Sequence, residues 1–252
     1  MTAAVLAYRR VTFARRYPER FAAAVVLLAW AALAVLSGEL SGGHHHGMPG
    51  VAHGSHGSHV PAAWWAAFAA GLGWWVVMTL AMMGPVALAA ARHVAVNSLR
   101  WRRQRAVAAF GLTYLGVWTL AGAGAVALAT AVPSAGWWFA ATVAFAALWQ
   151  LTPAKRGALR ACHRTVPLRP TGWPALRSCL SFGLRHGGAC VASCWPLMLA
   201  MVFVTDLHLL WTAAFAVVPL VERVSERPVR SARRMAAPLL MAAAIAALAA
   251  VS

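Results

Sequence analysis

Residues 179–211 read CLSFGLRHGGACVASCWPLMLAMVFVTDLHLLW, and this stretch decides the fold. It is apolar and long enough to cross a lipid bilayer, which predicts a transmembrane helix. Sulfur side chains recur in it at spacings of four, four and three residues, at Cys190, Cys194, Met198 and Met201. Residues at these spacings share one face of a helix. Soft metals such as Cu(I) prefer thiol and thioether ligands, so this face is a candidate copper site. Ordinary packing of Cys and Met in a membrane helix is the alternative.

The composition of the whole chain indicates an integral membrane protein. Of its 252 residues, 62% are hydrophobic and only 11% are charged, against about 25% charged residues in soluble domains. The net charge of +17 does not indicate nucleic-acid binding, because the basic residues form short clusters between apolar runs instead of one exposed surface. Four cysteines in such a chain do not make a disulfide framework. The first apolar run has no small-x-small cleavage pattern, so we expect a retained span.

Seven apolar runs predict an all-α, polytopic transmembrane helix bundle. The runs cover about residues 21–36, 62–91, 106–132, 137–151, 181–204, 209–221 and 236–251. All 22 Lys and Arg residues lie in or beside the N-terminal segment and every second connection. Because basic connections stay in the cytoplasm, we predict a cytoplasmic N-terminus and a multi-pass protein of the plasma (inner) membrane. The chain then divides into a basic N-terminus with the first span (1–37), an extracytoplasmic histidine-rich loop (38–61), a membrane core (62–235) and the last span (236–252).

The loop at 38–61 is a second candidate metal site. It contains six of the ten histidines, separated mainly by Gly, Ser and Pro: His44, His45, His46, His53, His56 and His59. Neutral imidazole binds Cu(II), Zn(II) and Ni(II), so the loop is predicted to capture metal outside the membrane. A flexible, low-complexity tether without a function is the alternative.

Methionines in the second span provide further soft donors. Met78, Met82 and Met83 lie near its middle or its cytoplasmic half. With a helical rise of about 1.5 Å per residue, their depth matches that of Cys190 and Cys194, which we place near the middle of the membrane. We therefore predict one buried soft-metal site where the second and fifth spans meet, with methionine packing as the alternative.

Polar residues mark both ends of the fifth span. Arg185 and His186 are costly in lipid, so we expect them to face protein or water. For His186, snorkelling to the interface is the alternative. An arginine beside the thiols favours their thiolate form. Asp206 and His208 follow the span on the outer side and are predicted as outer ligands for the metal.

Six motifs, taken in order, resemble a known family. They are MTLAMMGP, YLGVW, WQLTPAKRGALRACHR, SFGLRHGGACVASCWPLMLAMVF, LHLLW and VPLVERV, within about residues 74–224. They are similar to the family described as predicted metal-binding integral membrane proteins (domain of unknown function 2182). The resemblance implies a polytopic membrane protein with a Cys- and Met-rich, copper-related site. The sulfur residues that match the family pattern are Cys162, Cys190, Cys194, Met198, Met78, Met82 and Met83.

The chain also departs from that family pattern. Ala158 stands where the family has another Cys, and Ser193 where it has the first of two adjacent cysteines. His208 replaces an Asn, and Leu207 replaces a Met. The resemblance thus implies weaker metal binding, or a contribution from His208 and the histidine-rich loop.

Together these patterns predict a membrane-embedded protein that binds a transition metal, foremost copper as Cu(I), for handling, transfer or transport. We expect no enzymatic activity, because the chain has no Cys-x-x-Cys motif of the kind that thiol-redox enzymes use. The expected partners are the lipid bilayer and a metal chaperone or another membrane protein, and not nucleic acid. A structural or assembly subunit of a membrane complex without a functional metal site is the alternative.

Overall fold

The computed structural model describes residues 20–40, 64–132, 137–169, 171–204 and 207–249. Helices joined by short connections make up these ranges, which contain no β-strand, and the predicted all-α class is confirmed. In chain order the helices are α1 (Arg20–Leu40), α2 (Trp64–Val96), α3 (Arg103–Ala131), α4 (Trp137–Trp149), α5 (Pro153–His163), α6 (Gly172–Ala200), α7 (His208–Val224) and α8 (Pro228–Ala249). A 3₁₀ turn, Met201–Phe203, continues α6.

Within the described ranges, five helices are long and apolar enough to cross a membrane. They comprise Arg20–Ser37, Trp64–Val96, Arg103–Ala131, Gly172–Phe203 and Pro228–Ala249. The apolar α4 has only 13 residues and α7 has 17, against about 20 for a typical span. All seven predicted runs are helical, but length and composition establish five crossing candidates. The count of seven spans and the cytoplasmic N-terminus stay predictions.

The short helix α5 occupies a region that the sequence analysis treats as a basic connection. Its start is encoded locally, because the Thr152 hydroxyl caps the helix by accepting a hydrogen bond from the Lys155 backbone N–H at 3.2 Å. Pro153 occupies the first turn, where its missing N–H costs nothing. Lys155, Leu159 and Cys162 form the buried face of α5, which packs against α6. A stretch interpreted from its charge alone is therefore a helix that covers part of α6.

The helix α3 packs against both α2 and α6. Two glycines allow the close approach of α6: a Cβ at Gly183 would lie 2.7 Å from the Phe110 carbonyl oxygen, and one at Gly187 would lie 3.2 Å from Cβ of Val117. On the other side of the bundle, α4 packs against α6 and α8, and α7 packs against α2 and α8. The face of α6 that carries Cys190 is thereby enclosed by protein.

Candidate metal centre

Two helices bring three cysteine thiols together. Cys190 and Cys194 lie one turn apart on α6, and Cys162 lies near the end of α5. The side chain of Cys190 contacts the side chains of both Cys162 and Cys194. All three are free cysteines, and their exposed fractions are 7% for Cys162, 2% for Cys190 and 4% for Cys194. We call these three residues the thiol cluster.

Two hydroxyl groups approach the thiol cluster. The Tyr114 hydroxyl on α3 lies 3.1 Å from Sγ of Cys190, and the Ser193 hydroxyl lies 3.1 Å from Sγ of Cys194. When Cys190 is a thiolate, as a metal ligand must be, the Tyr114 hydroxyl can donate to it. The Ser193 hydroxyl donates to the Cys190 carbonyl at 3.0 Å, so it accepts from the Cys194 thiol. Hydrogen bonds of this kind orient metal ligands. Sequence reasoning missed Tyr114 as a site residue, although it begins the YLGVW motif.

The predicted methionines belong to the same core as the thiols. Met198 lies one turn beyond Cys194 on α6, and the following turn contributes Met201. Met198 and Met201 are fully buried, as are the α2 methionines Met78, Met82 and Met83. One contiguous buried cluster contains all of them together with the thiol cluster. The predicted direct meeting of the second and fifth spans is not seen in the described ranges. Both α2 and α6 pack against α3, and no comparable packing joins α2 to α6 directly in this part of the chain, so the shared metal site stays a prediction.

A buried ion pair fastens α5 and α7 to α6 beside the thiol cluster. The Lys155 ammonium lies 2.8 Å from Oε2 of Glu222 and donates to the Ser193 carbonyl oxygen at 2.9 Å. Each side chain is only 2% exposed, and both charges act on Cys194. Sequence reasoning missed this pair, because both residues lie in stretches that read as basic connections.

Arg185 lies on the surface of the described structure and does not lie beside the thiols. Its side chain is exposed and lines a surface pocket with Arg169 and Arg177. Lys155 on α5 is the cation that acts on Cys194 in the fold. The reason is helical geometry, because Arg185 lies on the face of α6 that points away from α3, next to the exposed Leu184.

His186 faces protein, as predicted. It lies one turn before Cys190 on α6 and is 3% exposed. Three aromatic rings surround the imidazole, at centroid distances of 5.9 Å for Phe110, 5.9 Å for Tyr114 and 5.7 Å for Phe182. Within the described residues, neither ring nitrogen has a hydrogen-bond partner. The side chain is therefore a buried imidazole whose polar atoms are available.

His208, the other predicted imidazole ligand in the described residues, is fully engaged. The Trp74 indole N–H donates to its Nε2 at 3.3 Å. Because indole only donates, Nε2 holds the lone pair and Nδ1 holds the proton, which is donated to the Thr212 hydroxyl oxygen at 3.2 Å. The Thr212 hydroxyl in turn donates to the His208 carbonyl at 2.7 Å. Metal binding by Nε2 would require displacement of Trp74.

The remaining predicted ligands lie outside the described residues. These are Asp206 and the six loop histidines, His44, His45, His46, His53, His56 and His59. Their part in metal binding stays a prediction.

The thiol cluster does not by itself form a preorganised metal site. In the described part of the chain, no group of three or more His, Cys, Asp or Glu side chains has the geometry to hold a metal ion. Two hydroxyls contact the thiol cluster, and buried thioethers belong to the same core. Thiolates and thioethers select Cu(I), which is stable with few ligands.

Fold and site define a class of protein: an all-helical chain, rich in apolar helices, with a buried cluster of sulfur donors. The chain belongs to the PpoB2 family, described as copper chaperones, which it matches over residues 72–247. No curated protein matches the chain, and no solved structure does. The matched residues include the thiol cluster and exclude the histidine-rich loop. A copper-handling family is thereby confirmed, whereas the family name suggested by the motifs stays a prediction.

Proposed function

We propose that the protein is a membrane-embedded copper chaperone that holds Cu(I) at the thiol cluster and passes it to a partner. The observation that carries this proposal is the convergence of Cys162 from α5 with Cys190 and Cys194 from α6 in a buried site. Separate packing of each side chain would not require the three thiols to contact one another, whereas a shared ligand would. Membership of a copper chaperone family supports the choice of metal.

The membrane setting of this site is part of the proposal. We place seven passes in the plasma membrane, formed by α1 to α4 and α6 to α8, with the N-terminus in the cytoplasm. The five long apolar helices support this arrangement, and the distribution of Lys and Arg supports its orientation. The basic helix α5 then folds back from the cytoplasmic side against α6. The thiol cluster thus lies nearer the cytoplasm than the mid-membrane depth expected from the sequence.

Copper is cargo in this proposal, and the chain catalyses no reaction. The histidine-rich loop, 38–61, would collect metal outside the membrane. The buried methionines Met78, Met82, Met83 and Met198 would provide weak thioether contacts on the way to the thiol cluster. A cytoplasmic metal chaperone or a neighbouring membrane protein would receive the ion. Weak thioether donors would let the ion move between sites, and the stronger thiolates would then hold it at the thiol cluster.

Copper content after anaerobic Cu(I) loading tests the proposal. The purified protein in detergent is compared with the double variant Cys190→Ser/Cys194→Ser and with a variant that lacks residues 43–60, by elemental mass spectrometry. Cys179→Ser is the matched control, because Cys179 is a buried thiol of the same helix outside the cluster. We expect the double variant to lose the copper that the control and the loop deletion retain.

Two other outcomes would overturn the assignment. Copper lost only with the loop deletion would place the metal on the outer surface. Absence of bound copper from the wild type would favour the alternative of a structural or assembly subunit, in which the sulfur side chains only pack.

A further inference from the structure

Packing alone does not account for His186. Its ring lies among Phe110, Tyr114 and Phe182, where a phenyl ring would fill similar space without polar atoms. Across the described residues, both of its buried nitrogens are unpartnered, and each such buried group costs about 1–3 kcal/mol. The unpartnered nitrogens of His186 therefore destabilise the fold, and a ligand bound to one of them would offset part of that free-energy cost.

His163, the last residue of α5, has a second available nitrogen. Its Nδ1 lies 2.8 Å from the Leu159 carbonyl oxygen, which can only accept, so Nδ1 holds the proton and Nε2 holds the lone pair. This Nε2 is buried and has no hydrogen-bond partner among the residues that the structure describes. A histidine whose first nitrogen donates to a carbonyl while the second is free has the arrangement of a metal ligand.

The two histidines occupy matching positions beside the thiol cluster. His163 directly follows Cys162 on α5, and His186 precedes Cys190 by one turn on α6. Because the Cys162 and Cys190 side chains touch, the two histidines lie on either side of the same contact between α5 and α6. Neighbouring turns of a helix are about 5–6 Å apart at Cβ. Tyr114 contacts both sites, because its hydroxyl lies against the Cys190 thiol and its ring packs against the His186 ring.

We infer that His163 and His186 form a nitrogen-donor site for Cu(I), beside the thiol cluster, from which the ion leaves the protein. We call these two residues the imidazole pair. The inference rests on the proposed copper function. In the transfer, Cu–S bonds break and Cu–N bonds form, copper stays Cu(I), and the released thiolates take up protons from water. Both imidazoles enter and leave this step neutral.

A positive charge near the imidazole pair favours the release of Cu(I) from it. The Arg223 guanidinium also acts on His186, and it is fixed nearby by donating to the Cys162 carbonyl at 2.7 Å. A cation close to the site weakens the binding of another cation. The thiol cluster, whose ligands become anionic on metal binding, therefore holds Cu(I) more tightly than the imidazole pair.

The test measures ligand type and transfer rate on the full chain in detergent under anaerobic conditions. X-ray absorption at the copper edge counts nitrogen and sulfur neighbours, and a soluble Cu(I) chelator reports transfer. His186→Phe and His163→Gln are compared with the control His93→Gln, because the His93 ring is already bonded to the Val166 carbonyl at 3.1 Å.

At one copper per chain the thiol cluster holds the ion, so both test variants should keep the wild-type copper content. With a second equivalent added, we expect them to lose the second copper and its nitrogen scattering, and to transfer copper at least about tenfold more slowly, equivalent to about 1.4 kcal/mol. The control should match the wild type. Unchanged ligation and transfer in both variants would overturn the imidazole pair while leaving the thiol cluster intact. If the wild type bound no copper at all, the copper function itself would fail, which is a separate result.

Discussion

The two buried histidines, His186 and His208, have opposite surroundings. The nitrogens of His208 are satisfied by Trp74 and Thr212, so the residue joins α2 to α7. The nitrogens of His186 face aromatic rings, without a hydrogen-bond partner in the described ranges. Native proteins satisfy nearly all buried polar groups. His208 therefore stabilises the contact between two helices, whereas His186 has polar atoms that the fold does not use, as the proposed copper function would require.

The largest expected effect comes from the ion pair that holds α5 beside the thiol cluster. Lys155→Met leaves the Glu222 carboxylate buried without its partner, which should destabilise the protein by about 3–5 kcal/mol. Copper binding should fall as well, because α5 carries Cys162. The free energy of unfolding in detergent micelles and the copper content after loading measure the two effects.

Two further variants check this first prediction. Arg160→Met changes an exposed cation of the same helix and should alter stability little. The double variant Lys155→Met/Glu222→Leu removes both buried charges and should recover most of the stability. If Lys155→Met were as stable as Arg160→Met, the ion pair would not fasten α5.

The second prediction exchanges each histidine for the same residue. His208→Phe leaves the Trp74 N–H and the Thr212 hydroxyl short of a partner, so we expect a loss of about 1–3 kcal/mol. His186→Phe removes two unsatisfied nitrogens from an aromatic setting, so its stability should equal or exceed that of the wild type. Unfolding of the two variants, side by side with copper absent, measures the difference. Equal destabilisation by both would contradict the contrast between the two histidines.

The register of α6 was accessible from the sequence because it depends on local spacing. Cys190, Cys194 and Met198 recur every four residues, and helical geometry alone fixes that they share a face. The structure buries all three on α6. The all-α class follows from the same kind of reasoning, since the apolar runs are long and continuous.

The function of each histidine was not accessible in this way. Sequence reasoning treats His186 and His208 alike, as candidate ligands. The residue that engages His208, Trp74, is 134 positions away in the chain, and no local pattern connects them. Similarly, α5 docks through Lys155 and Glu222, which are 67 positions apart. The Thr152–Pro153 start signal predicts that α5 exists, but only tertiary contacts decide that it covers the thiols.

The third prediction tests the hydroxyl group that contacts the thiol cluster. Tyr114→Phe keeps the ring against His186 and removes the hydroxyl that meets Cys190. Loss of a hydrogen bond to a metal ligand weakens metal binding by about 10–100-fold, so we expect the Cu(I) affinity to fall within that range. Competition with a Cu(I) chelator measures it, and Tyr8→Phe, which lies outside the matched family region, is the control. An unchanged affinity for Tyr114→Phe would show that the hydroxyl does not support the thiolate.

The smallest effect is expected at His208, from Thr212→Val. This change removes the hydroxyl that accepts from Nδ1 of His208 and donates to its carbonyl. The ring keeps the Trp74 hydrogen bond, so we expect a loss of only about 0.5–1.5 kcal/mol. Copper content and affinity should not change, because the satisfied histidine has no part in holding the ion. Weaker copper binding in Thr212→Val, measured by the same chelator competition, would instead make His208 part of the metal route and would remove the distinction between the two histidines.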